Sequence, residues 1–153
     1  MSQTEGEDYA PETVIPSWDR KLALKTLDIT EGKFRMLNGN AQGYAKEREI
    51  AINPLAVLPH KTTFHEMAHV VLGHTKEIQM NDGDTTPINE MEMEAEGAAF
   101  LLTTLLDLPG KAESRGYIQN WAKGSQFTEK MAQRVFSAAN KILKAGQPEA
   151  QPV

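Results

Sequence analysis

Residues 64–74 read "FHEMAHVVLGH", and this stretch decides how the rest of the chain is read. It holds three of the four histidines in the 153 residues. Phe64, Met67, Ala68 and Val71 fall at i, i+3, i+4 and i+7, one apolar stripe of an α-helix. Thr62 or Thr63 can cap that helix and Gly73 can end it. Helical residues turn by about 100° each, so His65 and His69 stand about 40° apart, one turn along the axis. That separation lets one zinc ion bridge the two imidazoles. Glu66 lies about 100° round from His65, off the ligand line but within reach of a water on such an ion. The apolar stripe points the other way, into a core. The plainer reading is an amphipathic helix that happens to carry histidines. A third ligand decides between the two, because catalytic zinc usually takes three protein ligands and a water.

Composition narrows the chemistry. The chain contains no cysteine, so disulfides and thiolate-bound zinc are excluded and any metal must rest on His, Glu or Asp. The length suits one domain, and 40% hydrophobic with 24% charged residues is an ordinary globular balance. No apolar run is long enough for a membrane span, and the acidic N-terminal "MSQTEGEDYAPET" does not resemble a signal peptide, so a cytoplasmic location is expected. A net charge of −5 argues against a nucleic-acid binder as a whole. The charge is uneven: residues 76–108 carry eight acids and one base, and residues 115–144 carry six bases and one acid. The second stretch reads as a solvated helix face.

Residues 1–16 and 147–153 read as flexible tails around a domain at 17–146. "SWDRKLALKTLDI" (17–29) suits a helix capped by Ser17. "KFRML" (33–37), "GYAK" (43–46) and "REIAIN" (48–53) suit short strands, with a hairpin over 44–50. The stretch "TKEIQMNDGDTT" after the histidines reads as a linker. A helix is predicted from about Ile88 to Leu106, opened by Thr86-Pro87 and stopped before Pro109-Gly110. "AESRGYIQNWAKG" and "TEKMAQRVFSAANKILKAG" read as two further helices, the latter burying Met131, Val135, Ala138 and Ile142.

The helix after the linker can supply the third ligand. "NEMEMEAEGAAF" (89–100) carries Glu90, Glu92, Glu94 and Glu96. Glu94 lies about 200° round from Glu92, so all four cannot face solvent. A buried carboxylate needs a partner, and a metal with its histidines is one. Ala95 and Ala99 allow close approach to another helix. From the residues alone, any of the four glutamates can be the ligand.

The pattern Glu92-x-x-Ala95-Glu96 resembles the glutamate-bearing helix of gluzincins. That resemblance implies Glu92 as metal ligand and Glu96 as the acid that orients a liganding histidine; Glu90 and Glu94 stay open as alternatives. The order of hairpin, "HEMAHVVLGH", acidic linker, "EMEAEGAAFL", "GYIQNWAK" and "AANKIL" resembles the zincin-like metallopeptidase domain of ArdC-type antirestriction proteins. It is similar, more distantly, to the ImmA/IrrE metallopeptidases. The resemblance spans about residues 39–145. It implies an α+β fold: a small antiparallel sheet packed on an HExxH helix and a glutamate-bearing second helix, followed by C-terminal helices. It also implies a hydrolase cutting a protein or peptide substrate with one zinc ion held by His65, His69 and Glu92. Glu66 would be the general base, in antirestriction or in regulatory proteolysis linked to mobile elements. ArdC-type proteins also carry a single-stranded-DNA-binding domain. The residues before Lys33 are too few to form one, so DNA binding is not carried over.

Tyr117 and His74 are candidates to contact the substrate or its transition state, and an extended peptide can pair with the hairpin edge near Ile50. Two other readings compete. One is a non-enzymatic acidic binding or antirestriction protein on the same fold, in which residues 77–107 imitate DNA. The other is a nucleic-acid module built on the basic helices after Arg115.

Overall fold

A computed structural model describes residues 17–35, 41–76, 79–83, 90–109 and 128–148. Among them the chain forms helix α1 (Arg20–Leu27), strands β1 (Thr30–Glu31), β2 (Ala41–Lys46) and β3 (Glu49–Ile52), helix α2 (Pro59–Val71), strand β4 (Gln79–Gly83), and helices α3 (Glu90–Leu105) and α4 (Glu129–Ala145). The class is α+β, as expected. The sheet is mixed rather than purely antiparallel. Its order is β1-β3-β2-β4, with β1 parallel to β3 and the other neighbours antiparallel. No helix among the described residues is long and apolar enough to cross a membrane.

The hairpin forms where the sequence places it, with Lys46 opposite Glu49 and the tight turn at Glu47 and Arg48. Tyr44 pairs with Ala51 and Ala45 with Ile50, so these pairs lie on opposite faces of the sheet. Residues 33–35 do not extend the sheet as "KFRML" suggested; 36–37 lie outside the described residues. Instead Phe34 lies over the Tyr44 ring, with centroids 5.8 Å apart, and the Tyr44 hydroxyl donates to the Lys33 carbonyl at 3.0 Å. The aromatic residue covers the outer face rather than adding a strand. Part of the expected linker is a strand, because residues 79–83 pair with β2.

Two caps also differ from expectation. Asp19, not Ser17, caps α1 by accepting from the Leu22 amide at 3.1 Å. Helix α2 begins before Thr62 and Thr63, at Pro59, whose fixed φ and missing N–H suit a first helical position. Thr63 lies inside the helix; its hydroxyl donates to the Pro59 carbonyl and accepts from Arg20, each at 2.8 Å. The other end is as expected. Gly73 takes φ +82°, the Gly73 amide donates to the Val70 carbonyl at 3.0 Å, and the His74 amide donates to the His69 carbonyl at 2.9 Å. This pair of bonds is the Schellman motif, and it folds His74 back over the last turn of α2. The helix opener Thr86-Pro87, the helix at "AESRGYIQNWAKG" and both tails lie outside the described residues.

Helix α2 is the centre of the molecule. Every residue from Thr62 to Val70 is buried, so the polar side of the helix is covered as fully as the apolar side. On the apolar side Phe64 meets Trp18 edge to face, with centroids 5.0 Å apart, and Trp18 donates its indole N–H to the Ile142 carbonyl of α4 at 2.9 Å. Met67, Ala68, Val135 and Ile142 continue that core. Met131, Val135, Ala138 and Ile142 are the buried stripe of α4, as the periodicity indicated. Ala95, Ala98 and Ala99 of α3 are fully buried in the same core. Their small side chains let the two helix backbones approach closely.

Candidate metal centre

Helix periodicity puts His65 and His69 on one side of α2, with ring centroids 4.7 Å apart and planes at 79°. Helix α3 brings Glu92 against both rings. Its Oε1 is 3.0 Å from His65 Nε2 and its Oε2 is 3.4 Å from His69 Nε2. One donor atom from each of the three residues can be chosen so that all lie within 4.8 Å of one another, and all three residues are buried. Among the described residues no other group of His, Asp or Glu side chains converges in this way. Glu90 is exposed, Glu94 meets His74 and Glu96 meets Nδ1 of His65, so of the four glutamates Glu92 is the one set against Nε2 of both rings.

Behind His65, the Nδ1–H donates to Glu96 Oε1 at 2.8 Å. The second oxygen of Glu96 meets Lys61 Nζ at 2.8 Å. Burial alone pushes the Glu96 carboxyl up, but the hydrogen bond and charge of His65, with Lys61 added, outweigh it and hold the pKa at about 2. With its Nδ1 proton engaged, His65 turns Nε2 toward Glu92. This is the arrangement in which an outer acid fixes the orientation of a ligand ring.

Behind His69 stands another imidazole. His69 Nδ1 and His74 Nδ1 are 2.9 Å apart, and His74 Nε2 is 2.9 Å from Glu94 Oε1. The other Glu94 oxygen pairs with Arg134 of α4. Burial lowers the His74 pKa; its bond to Glu94 acts against that, and the nearby His69 adds to the lowering. The structure places His74, one of the two candidates for a substrate contact, at the Nδ1 side of His69. Tyr117, the other candidate for such a contact, lies outside the described residues.

Glu66 is fully buried and faces the sheet. A Cβ built on Gly43 of β2 would stand 3.1 Å from Glu66 Oε2, and 3.0 Å from both the Ala51 carbonyl oxygen and Thr62 Cγ2. Glycine at 43 therefore lets the strand backbone run directly against the Glu66 carboxylate.

The residues fit a divalent cation by the spacing and chemistry of their donors. Donors about 2.0–2.1 Å from a common tetrahedral ion stand roughly 3.3 Å from each other; the Glu92 oxygens lie 3.0 and 3.4 Å from the two Nε2 atoms. Two imidazoles and a carboxylate are a donor set that a divalent ion takes.

Lys61, Arg134 and Gly43 were not assigned to the site from the sequence. Lys61 had a signal, since it lies four residues before His65 on the same helix side. Arg134 and Gly43 had none, because each meets the site only through the packing of separate elements. No family model matches this sequence, and comparison with curated proteins and with solved structures finds no similar chain.

Proposed function

We propose that this chain is a zinc-dependent metallopeptidase of zincin-like fold, with His65, His69 and Glu92 as ligands and Glu66 as general base. The observation that carries the reading is the convergence of Glu92 on both histidines of the HExxH helix. Zinc at that position would polarise a scissile carbonyl and acidify a water to a pKa near 7. Glu66 would take the proton of the attacking water on a carboxylate oxygen and pass it to the departing amine nitrogen. Glu96 would hold the His65 ring in place throughout. The buried position of Glu66 against Gly43 excludes bulk water from the base and keeps its field strong.

The peptide-docking expectation changes. Ile50 is not at an edge, because β3 is flanked by β1 and β2, and β2 by β3 and β4. Among the described strands β4 is the outer one on the side of Gly43 and Glu66, so an extended substrate would pair with β4. The DNA-imitating alternative loses support: Glu92, Glu94 and Glu96 are buried and contribute nothing to an acidic surface. The resemblance to ArdC-type domains favours a role in antirestriction or regulatory proteolysis.

The test is hydrolysis of a proteome-derived peptide library by wild type and Glu66→Gln, each loaded with one equivalent of zinc. Cleavage by wild type that disappears in the variant supports the proposal. A zinc-loaded wild type that cuts nothing in the library overturns it.

A further inference from the structure

The two candidate ligand histidines are supported differently, and the difference assigns work to residues that touch no metal. To bind a cation through Nε2, His69 must keep that nitrogen's lone pair free, so its proton must sit on Nδ1. A proton on Nδ1 requires an acceptor there. His74 Nδ1 lies 2.9 Å away and accepts only if the His74 proton sits on its own Nε2. That proton in turn needs an acceptor, and Glu94 Oε1 lies 2.9 Å away. A carboxylate can only accept, so with both imidazoles neutral it fixes the direction of every bond before it. Arg134 of α4 pairs with the other Glu94 oxygen and balances the buried charge. Reversing either imidazole bond then leaves a donor facing a donor or an acceptor facing an acceptor.

We propose that His74, Glu94 and Arg134 form a positioning relay that locks His69 in the Nδ1–H tautomer and so presents Nε2 to the metal. This rests on the metal-centre reading above. The relay ties α4 to the site: an arginine near the middle of that helix sets, through two side chains, the proton position on a ligand of α2. It also explains the third buried glutamate of α3. Glu92 meets both ligand rings, Glu96 supports His65 directly, and Glu94 supports His69 through His74.

Nitrogen-15 NMR of the imidazoles in the zinc-free full-length chain reads the tautomers, and zinc titration against a chromophoric chelator reads the affinity. In wild type, His69 should carry its proton on Nδ1 and His74 on Nε2. His74→Phe should lose the Nδ1–H tautomer of His69 and weaken zinc binding about 10–100-fold. His74→Gln, whose amide can accept from His69 and donate to Glu94, should recover part of that loss. Arg134→Gln alters a half-exposed side chain, so it should fold normally, and it should weaken zinc by a few-fold. A wild type with His69 protonated on Nε2 overturns the relay even if no variant folds. So does a wild type that binds zinc no more tightly than His74→Phe and Arg134→Gln. A wild type that binds no zinc overturns the metal centre itself, which is a different result.

Discussion

Phe64 and Glu66 are two residues apart on α2 and both are fully buried. Phe64 is held by Trp18, Met67 and the apolar side of α4. Glu66 lies against a strand backbone on the side of α2 that also carries His65 and His69. The apolar side depends on volume and shape, because dispersion and the hydrophobic effect have no direction. The polar side depends on which atom faces which, because each buried donor, acceptor and charge needs its partner. The same helix therefore tolerates different substitutions on its two sides. The contrast can be broken at several points.

The largest effect is expected at Glu66. Glu66→Gln keeps the shape of the side chain and removes its basicity, so peptide hydrolysis should fall about 10²–10⁴-fold while zinc content and unfolding temperature hold. Steady-state kcat/KM checks the first and metal analysis with calorimetry the second. Phe64→Ala should do the reverse. Emptying the pocket under Trp18 should cost about 3–5 kcal/mol in urea unfolding without changing how many zinc ions the folded chain binds. Phe64→Leu should cost much less, and an equal loss would mean that volume is not what governs that side.

Acid probes the polar side alone. The Glu96 pKa is lowered to about 2 from 4.5, so the folded chain holds this carboxylate ionised where the unfolded chain protonates it. Its contribution, on the order of 3 kcal/mol, is present above pH 4.5 and lost as the pH falls toward 2. His74 acts in the same direction from a higher pH, since its lowered pKa means that the unfolded chain takes that proton first as the pH drops below 6.5. Unfolding midpoints of zinc-free protein should fall with acid across this range, and Glu96→Gln should remove the lower part of the dependence. The smallest effect is expected at Gly43. An alanine there meets the Ala51 carbonyl oxygen, Thr62 and Glu66 at 3.0–3.1 Å, so thermal unfolding should register about 1–2 kcal/mol. Because one of those neighbours is the proposed base, peptide hydrolysis should fall by more than the stability loss explains.

These two sides were also unequally legible in the sequence. Period 3.6 named Phe64, Met67 and Ala68 as packing residues, since an apolar side chain needs only some apolar neighbour. It named His65 and His69 as a pair for the same geometric reason. Periodicity also required some of the glutamates at 90–96 to face inward, but it did not say which partner each would find. Glu94 reaches Arg134, forty positions later, through helix packing that no local pattern encodes. The sheet was misread at its margins for a related reason. β1 has two residues and β4 lacks the apolar alternation of a strand; both exist through pairing with the hairpin, so "QMNDG" at 79–83 looked like linker. Phe34 looked like a strand residue because aromatic residues favour strands, yet it covers Tyr44 from outside the ladder.

The central claim is that His65, His69 and Glu92 make one metal centre, and zinc stoichiometry tests it most directly. Full-length wild type, Glu92→Ala and Glu90→Ala would be dialysed against buffered zinc at micromolar free concentration and the bound metal counted. One zinc per chain is expected in wild type and in Glu90→Ala, with none retained by Glu92→Ala. A wild type that holds no zinc, or a Glu92→Ala variant that holds it as tightly as wild type, would contradict the claim.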